Sequence, residues 1–123
     1  MANKAFSLPG GTRLVNANLQ GANLSNANLE DACLIDASLK SSTLANAGLE
    51  HANMTHANLQ NADLFNASLE GAKLFNANLK NVDLKNVNMQ GADFSGLDFR
   101  DIPRRAIEQF IEDWRASNKE AAL

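Results

Sequence analysis

The sequence predicts an all-β solenoid, a four-sided tube of about 4.5 coils closed at its C-terminal end by an α-helix. Three observations predict it. An apolar residue returns at every fifth position, a small residue stands two places before most of them, and a segment with helical spacing follows where that rhythm stops. The chain divides accordingly into an N-terminal segment (1–11), a repeat region (12–101) and a C-terminal amphipathic segment (102–123).

The N-terminal segment, "MANKAFSLPGG", carries Phe6, Leu8 and Pro9 before the Gly10–Gly11 bend. Those residues are expected either to fold over the first coil or to leave it open to a second copy. The segment lacks the apolar stretch of a secretory signal, and no run in the chain approaches the apolar length of a membrane span. A single cysteine, Cys33, makes no internal disulfide. The expectation is a cytoplasmic protein that does not rely on oxidation.

In the repeat region the fifth-place residues run from Leu14, Leu19, Leu24, Leu29, Leu34 and Leu39 through Met54, Leu59, Leu79 and Met89 to Phe94 and Phe99, eighteen registers with no polar residue. Two places earlier stand mostly alanines, with Thr12, Ser42, Val82, Val87 and Leu97 as variants. Five helical residues advance a net of about 140°, so the leucines would spiral around a helix instead of forming a stripe. A continuous strand alternates with period two, so an odd repeat would send successive leucines to opposite faces. A short extended triplet followed by a bend satisfies the period. The bending places hold Asn16, Gly21, Asn26, Asp31, Asp36 and similar residues, types that tolerate left-handed backbone. Four bends close a square coil of twenty residues, and stacked coils pair about 4.8 Å apart.

These residues resemble the pentapeptide-repeat family, whose motif is A-(D/N)-L-x-x, over positions 12–101. The resemblance implies a right-handed quadrilateral β-helix; the handedness rests on the family and not on the spacing. Surface residues twenty apart should then stack in columns. One face reads Glu30, Glu50, Glu70 and Gln90, the opposite one Gln20, Lys40, Gln60, Lys80 and Arg100. A third reads Val15, Ile35, Thr55, Phe75 and Ser95, and the fourth Ser25, Ala45, Phe65 and Lys85.

Inside the tube, Leu19, Leu39, Leu59, Leu79, Phe94 and Phe99 are expected in the core, with the small residues filling the tighter places. The open ends of such a tube expose apolar interior and strand edges. In the C-terminal segment, Ile107, Phe110, Ile111 and Trp114 recur at helical spacing behind Pro103, which suits a first helical turn. They predict an amphipathic helix lying over the last coil, with Arg104 and Glu108 paired four apart on its polar side. A dimerising helix is the alternative, and the assembly expected is a monomer or a weak homodimer through the solenoid ends.

The composition excludes several functions. A net charge of −3 with scattered basic residues argues against nucleic-acid or anionic-membrane binding. No P-loop, His-Glu-x-x-His, Gly-x-Ser-x-Gly or paired-cysteine spacing occurs. A filled tube also offers no pocket for converging catalytic groups. No enzyme activity, cofactor or metal is therefore expected; His51 and His56 read as two turn residues at adjacent corners and Cys33 as a bystander thiol. The function expected is a structural or protein-interaction scaffold whose partner the sequence does not name. Its candidate docking strip is Val15, Ile35 and Phe75, joined by Phe65 one face on. The family also contains DNA mimics that bind DNA gyrase, and the resemblance implies that alternative for the acidic column Glu30, Glu50 and Glu70. Against it, the repeat region has six basic residues (Arg13, Lys40, Lys73, Lys80, Lys85, Arg100) and ten acidic ones, a net of −4. Duplex DNA carries about one charge per 1.7 Å, so a mimic about 22 Å long would need about thirteen.

Overall fold

Backbone hydrogen bonding shows why five residues suffice for one wall. In a computed structural model that describes residues 11–98, 100 and 102–117, thirteen parallel bridges join residues twenty apart, from Arg13–Cys33 to Lys73–Asp93. A coil is therefore four fives. Around Leu59 every amide is used. Asn58 N–H donates to the Ala37 carbonyl of the preceding coil (2.9 Å), while Leu59 and Asn61 donate to Asn78 and Lys80 of the next (2.8 and 2.9 Å). Ala62 N–H closes the turn on the Leu59 carbonyl (2.9 Å), and Gln60 N–H donates to Asn58 Oδ1 (3.0 Å). Buried amides left unpaired are costly, and this five leaves none.

The bend is left-handed backbone at the second residue after each leucine. φ at the non-glycine corners runs from 55° at Asn76 to 63° at Asn26, and Gly21, Gly71, Gly91 and Gly96 take the same place at larger values. This region costs an ordinary L-residue about 1–2 kcal/mol, less for Asn and Asp. Histidine, like Asn and Asp, is enriched in this region, so of the non-glycine corners Ser41 is the one its side chain favours least.

Leu29, Leu34, Leu39, Leu44, Leu49, Met54, Leu59, Leu64, Leu69 and Leu74 are fully buried, with alanines between them. Ser42 takes one alanine place and satisfies its buried hydroxyl on the Leu39 carbonyl at 2.6 Å. The result is a β-helix solenoid with a continuous apolar filling. Leu79 is buried as well. Leu19 and Phe94 also pack on the core but stay half-exposed, because the terminal coils have a neighbour on one side only. Phe6, Leu8, Phe99 and Asp101 lie outside the described residues.

The solenoid's last turn leads through Ile102 and Pro103 into α1 (Arg104–Ser117). Pro103 immediately precedes the helix, and its carbonyl accepts from Ala106 N–H (2.9 Å) and Ile107 N–H (3.2 Å). Ile102 and Ala106 are buried in the same cluster as the leucines, and Ile107 packs against it. Ile111, expected among the buried positions, is 41% exposed. The helix seam centres on Ala106, and five residues on, Ile111 stands about 140° away around the axis. The side chains of Phe110 and Trp114 lie outside the described residues. Arg104 and Glu108 form the expected pair at 3.4 Å, both well exposed. Such a surface pair contributes little.

Candidate functional site

The i, i+20 pairing turns each outward place into a column. Asn16 N–H donates to the Ile35 carbonyl (2.9 Å), Asp36 to Thr55 (3.0 Å), and His56 to Phe75 (2.9 Å), which stacks Val15, Ile35, Thr55 and Phe75 on one face. Val15 and Phe75 are exposed, whereas Ile35 is half-buried between its neighbours. The Phe75 ring meets the His56 imidazole edge-on, centroids 5.8 Å apart and planes at 86°. Such aromatic contacts contribute about 0.5–1.5 kcal/mol. His56 thus supports an exposed aromatic group.

Phe65 does not join this strip. It stacks beneath Ala45, whose carbonyl accepts from Asn26 N–H, and Asn46 N–H donates to Phe65 itself (both 2.9 Å). Ten residues separate Phe65 from Phe75, which is half a coil of twenty, so the two rings lie on opposite walls. On the solenoid walls the exposed apolar residues therefore form two separate sites.

Glu30, Glu50 and Glu70 form a column on a third wall, where Asp31 N–H donates to the Glu50 carbonyl (2.9 Å) and His51 N–H to that of Glu70 (2.8 Å). His51 leans over Gly71, where a Cβ would fall 2.5 Å from its Nδ1. Both histidines are corner residues, and among the described residues no group of three or more His, Cys, Asp or Glu side chains gathers as a metal site. Cys33 is half-buried.

Sequence reasoning missed the residue before each leucine. The Oδ1 atoms of Asn18, Asn23, Asn28, Asn53, Asn58, Asp63, Asn78, Asp83, Asn88, Asp93 and Asp98 accept the amide two residues on, at 2.9 to 3.2 Å. The signal was available, because Asn and Asp bond the backbone two residues ahead in turns. Two of these carboxyls are held below the usual range: Asp93 by the Ser95 hydroxyl and amide, Asp98 by the Arg100 guanidinium and amide.

Concavity occurs where α1 meets the end of the solenoid. One groove of about 650 Å³ is lined by the final coil from Asn81 to Asn86 and by Pro103, Arg105, Ala106 and Gln109. A second, of about 440 Å³, lies between Asn86–Gln90 and the helix residues Gln109, Asp113 and Ala116. Asp113 accepts from Gln109 Nε2 at 3.0 Å. The wall above the first groove is looser than its counterparts. Leu44 N–H donates to Asp63 at 2.7 Å; below it Asp63 and Asp83 still form a parallel bridge, but Leu64 N–H makes no bond as short, and Asn66 reaches Lys85 at 3.2 Å. Here Val82 replaces the usual alanine and is itself fully buried.

Among the described residues, no helix is long and apolar enough to cross a membrane. No curated protein sequence matches the chain. Among solved structures, it is similar to the pentapeptide repeat protein Rfr23 from the cyanobacterium Cyanothece 51142, with 34% identity over 68% of this chain and a TM-score of 0.66. The match spans 57% of that protein's length. It is also similar to AT2G44920, a pentapeptide repeat protein of the Arabidopsis thaliana thylakoid lumen, with 25% identity, a TM-score of 0.57, and coverage of 85% of this chain and 73% of that one. The family described as pentapeptide repeats matches residues 10–40, 32–71 and 67–102 in eight copies. With that match over most of its length, the chain belongs to the pentapeptide repeat family.

Proposed function

We propose that the chain is a non-enzymatic scaffold: a right-handed, four-sided β-helix, ended by α1 as a cap, whose flat walls present side-chain columns to a protein partner. The observation that carries this reading is the filled interior. Among the described residues the lumen is filled by leucine and alanine with a few other small or apolar side chains, so chemistry has no cleft inside the tube, and what varies most along the chain is the outward decoration. Ile102 and Ala106, buried with the solenoid core, support the capping role. The Phe75 wall is the proposed docking face, because Phe75 is exposed and braced by His56. Fixed aromatic groups bind at small entropic cost.

The opposition of Phe65 and Phe75 gives a clean test. Partners captured on immobilised protein are compared for the wild-type chain, Phe75→Ser and Phe65→Ser. Loss with Phe75→Ser alone supports the Val15–Phe75 wall; equal capture by all three chains removes it.

The acidic column sustains the competing reading, a DNA mimic acting on gyrase. Glu30, Glu50 and Glu70 stack at the coil spacing, but the opposite wall carries Lys40 and Lys80. A mimic of duplex DNA needs negative charge around its girth. Supercoiling by gyrase, assayed with the protein at micromolar concentration with and without a quinolone, is expected to be unchanged. Inhibition or quinolone protection would replace the scaffold reading.

A further inference from the structure

We infer that the groove between α1 and the lower edge of the final coil binds an extended acidic peptide as an added strand. Pro103 makes this edge available. It stands twenty residues after Asp83, where another coil would donate an amide to the Val82 carbonyl, as Asp63 N–H donates to Ser42 at 3.0 Å. Proline has no N–H, so the chain cannot extend its own ladder on this wall and turns into α1. Two coils above, Leu44 and Asn46 donate downward to Asp63 and Phe65, and in the coil directly above Asn66 donates to Lys85. By the same register, the amides of Leu84 and Asn86 are directed away from the solenoid, into the groove that both residues line. Among the described residues, neither amide has an acceptor.

An added strand supplies what Pro103 withholds. Its first residue donates an amide to the Val82 carbonyl and accepts from Leu84 N–H; its third accepts from Asn86 N–H. Strand addition to an exposed edge is a general mode of peptide recognition, with backbone bonds giving affinity and alternate side chains specificity. The middle side chain abuts Pro103 and Ala106, which favours a small apolar residue. The third falls beneath Lys85 and beside Arg105. Two arginines in the first turn of α1 oppose the helix dipole. Arg104 is offset by Glu108, whereas Arg105 pairs with no acidic group among the described residues. With Lys85 this cation outweighs Asp83, the one acidic residue lining the groove, so the end of the groove beneath Lys85 is complementary to a carboxylate. The occupant is therefore an extended segment of the pattern polar–small apolar–acidic. This site is separate from the Phe75 wall.

The test is fluorescence polarisation of a labelled, C-terminally amidated hexapeptide, Thr-Val-Glu-Thr-Val-Glu, titrated with the full chain. Saturable binding is expected below about 1 mM. Arg105→Glu, a change at an exposed side chain, is expected to weaken it about tenfold, as is replacing both glutamates of the peptide by lysine. N-methylation of the peptide's alternate amides is expected to abolish it, and Phe75→Ser to leave it unchanged. No saturable binding, an N-methylated peptide that binds equally, or indifference to Arg105→Glu would overturn the proposal. So would light scattering that shows a dimer undisturbed by the peptide, since a second copy would then own the edge.

Discussion

Gly48 is the most informative position for testing how each wall is held. It occupies the place where Asn28, Asn58 and Asn88 offer Oδ1 to the amide two residues on, and glycine has nothing to offer Glu50 N–H. Its backbone is not left-handed, and its own N–H and carbonyl are already paired with Ala27 and Leu29 at 2.9 and 2.7 Å. A Cβ there meets only Glu50 Oε1 at 2.8 Å, the far end of a flexible side chain. Gly48→Ala restricts the unfolded chain and should stabilise the fold by about 0.4–1 kcal/mol. Gly48→Asn adds a hydrogen bond, a further ~0.5–1.5 kcal/mol. The pair separates the two terms, because their difference is the side-chain bond alone. Urea unfolding followed by circular dichroism should place the midpoints in the order Gly, Ala, Asn at constant slope. The same series in a Glu50→Ala background removes the one contact that must move. If Asn is no more stable than Ala in both backgrounds, the acceptor at this place does not hold the wall.

Three further outcomes follow from the same geometry. Ala57→Leu places a larger side chain in a fully buried small-residue position and should cost about 1–3 kcal/mol; an unchanged melting temperature would move Ala57 out of the lumen. Gly71→Ala sets an L-residue at φ 67° and displaces the His51 ring, so calorimetry should show a loss of about 1–2 kcal/mol, smaller in a His51→Ala background. Asp93 and Asp98 titrate lower in the folded chain than unfolded, so their contribution is present above the unfolded value and is lost as pH falls through the folded one. Below about pH 4 the wild-type chain should lose stability, and Asp93→Asn with Asp98→Asn should flatten that acid limb. An identical acid limb in the double variant would mean that other carboxyls set it.

The tube was legible because its signal is repetition. A leucine at each fifth place has a single geometric meaning once helix and flat strand are excluded, and the Asn, Asp and Gly corners declare their backbone region by residue type. The residue before each leucine was equally visible but was read only as part of a motif; its bond to the amide two residues on is local chemistry. Counting fives alone sets Phe65 next to the Phe75 strip, whereas the half turn between them sets it on the opposite wall. Ile111 departs from its expected place for another reason. Composition gives a helix an apolar side, but contact decides which line of it is covered, and α1 is seated on Ile102 and Ala106. Nor does anything in the leucine rhythm reveal the groove at Asn81–Asn86. That feature arises where Pro103 stops the ladder and the chain turns into α1, a departure from the repeat whose effect is spatial.

A crystal structure of the full chain tests the four-sided coil most directly. Leu39 and Leu59 should point into a closed lumen, and Thr43, Asp63 and Asp83 should stack one above another at a spacing of about 4.8 Å. A structure with either leucine in solvent, or with layers that repeat at an interval other than twenty residues, would contradict it.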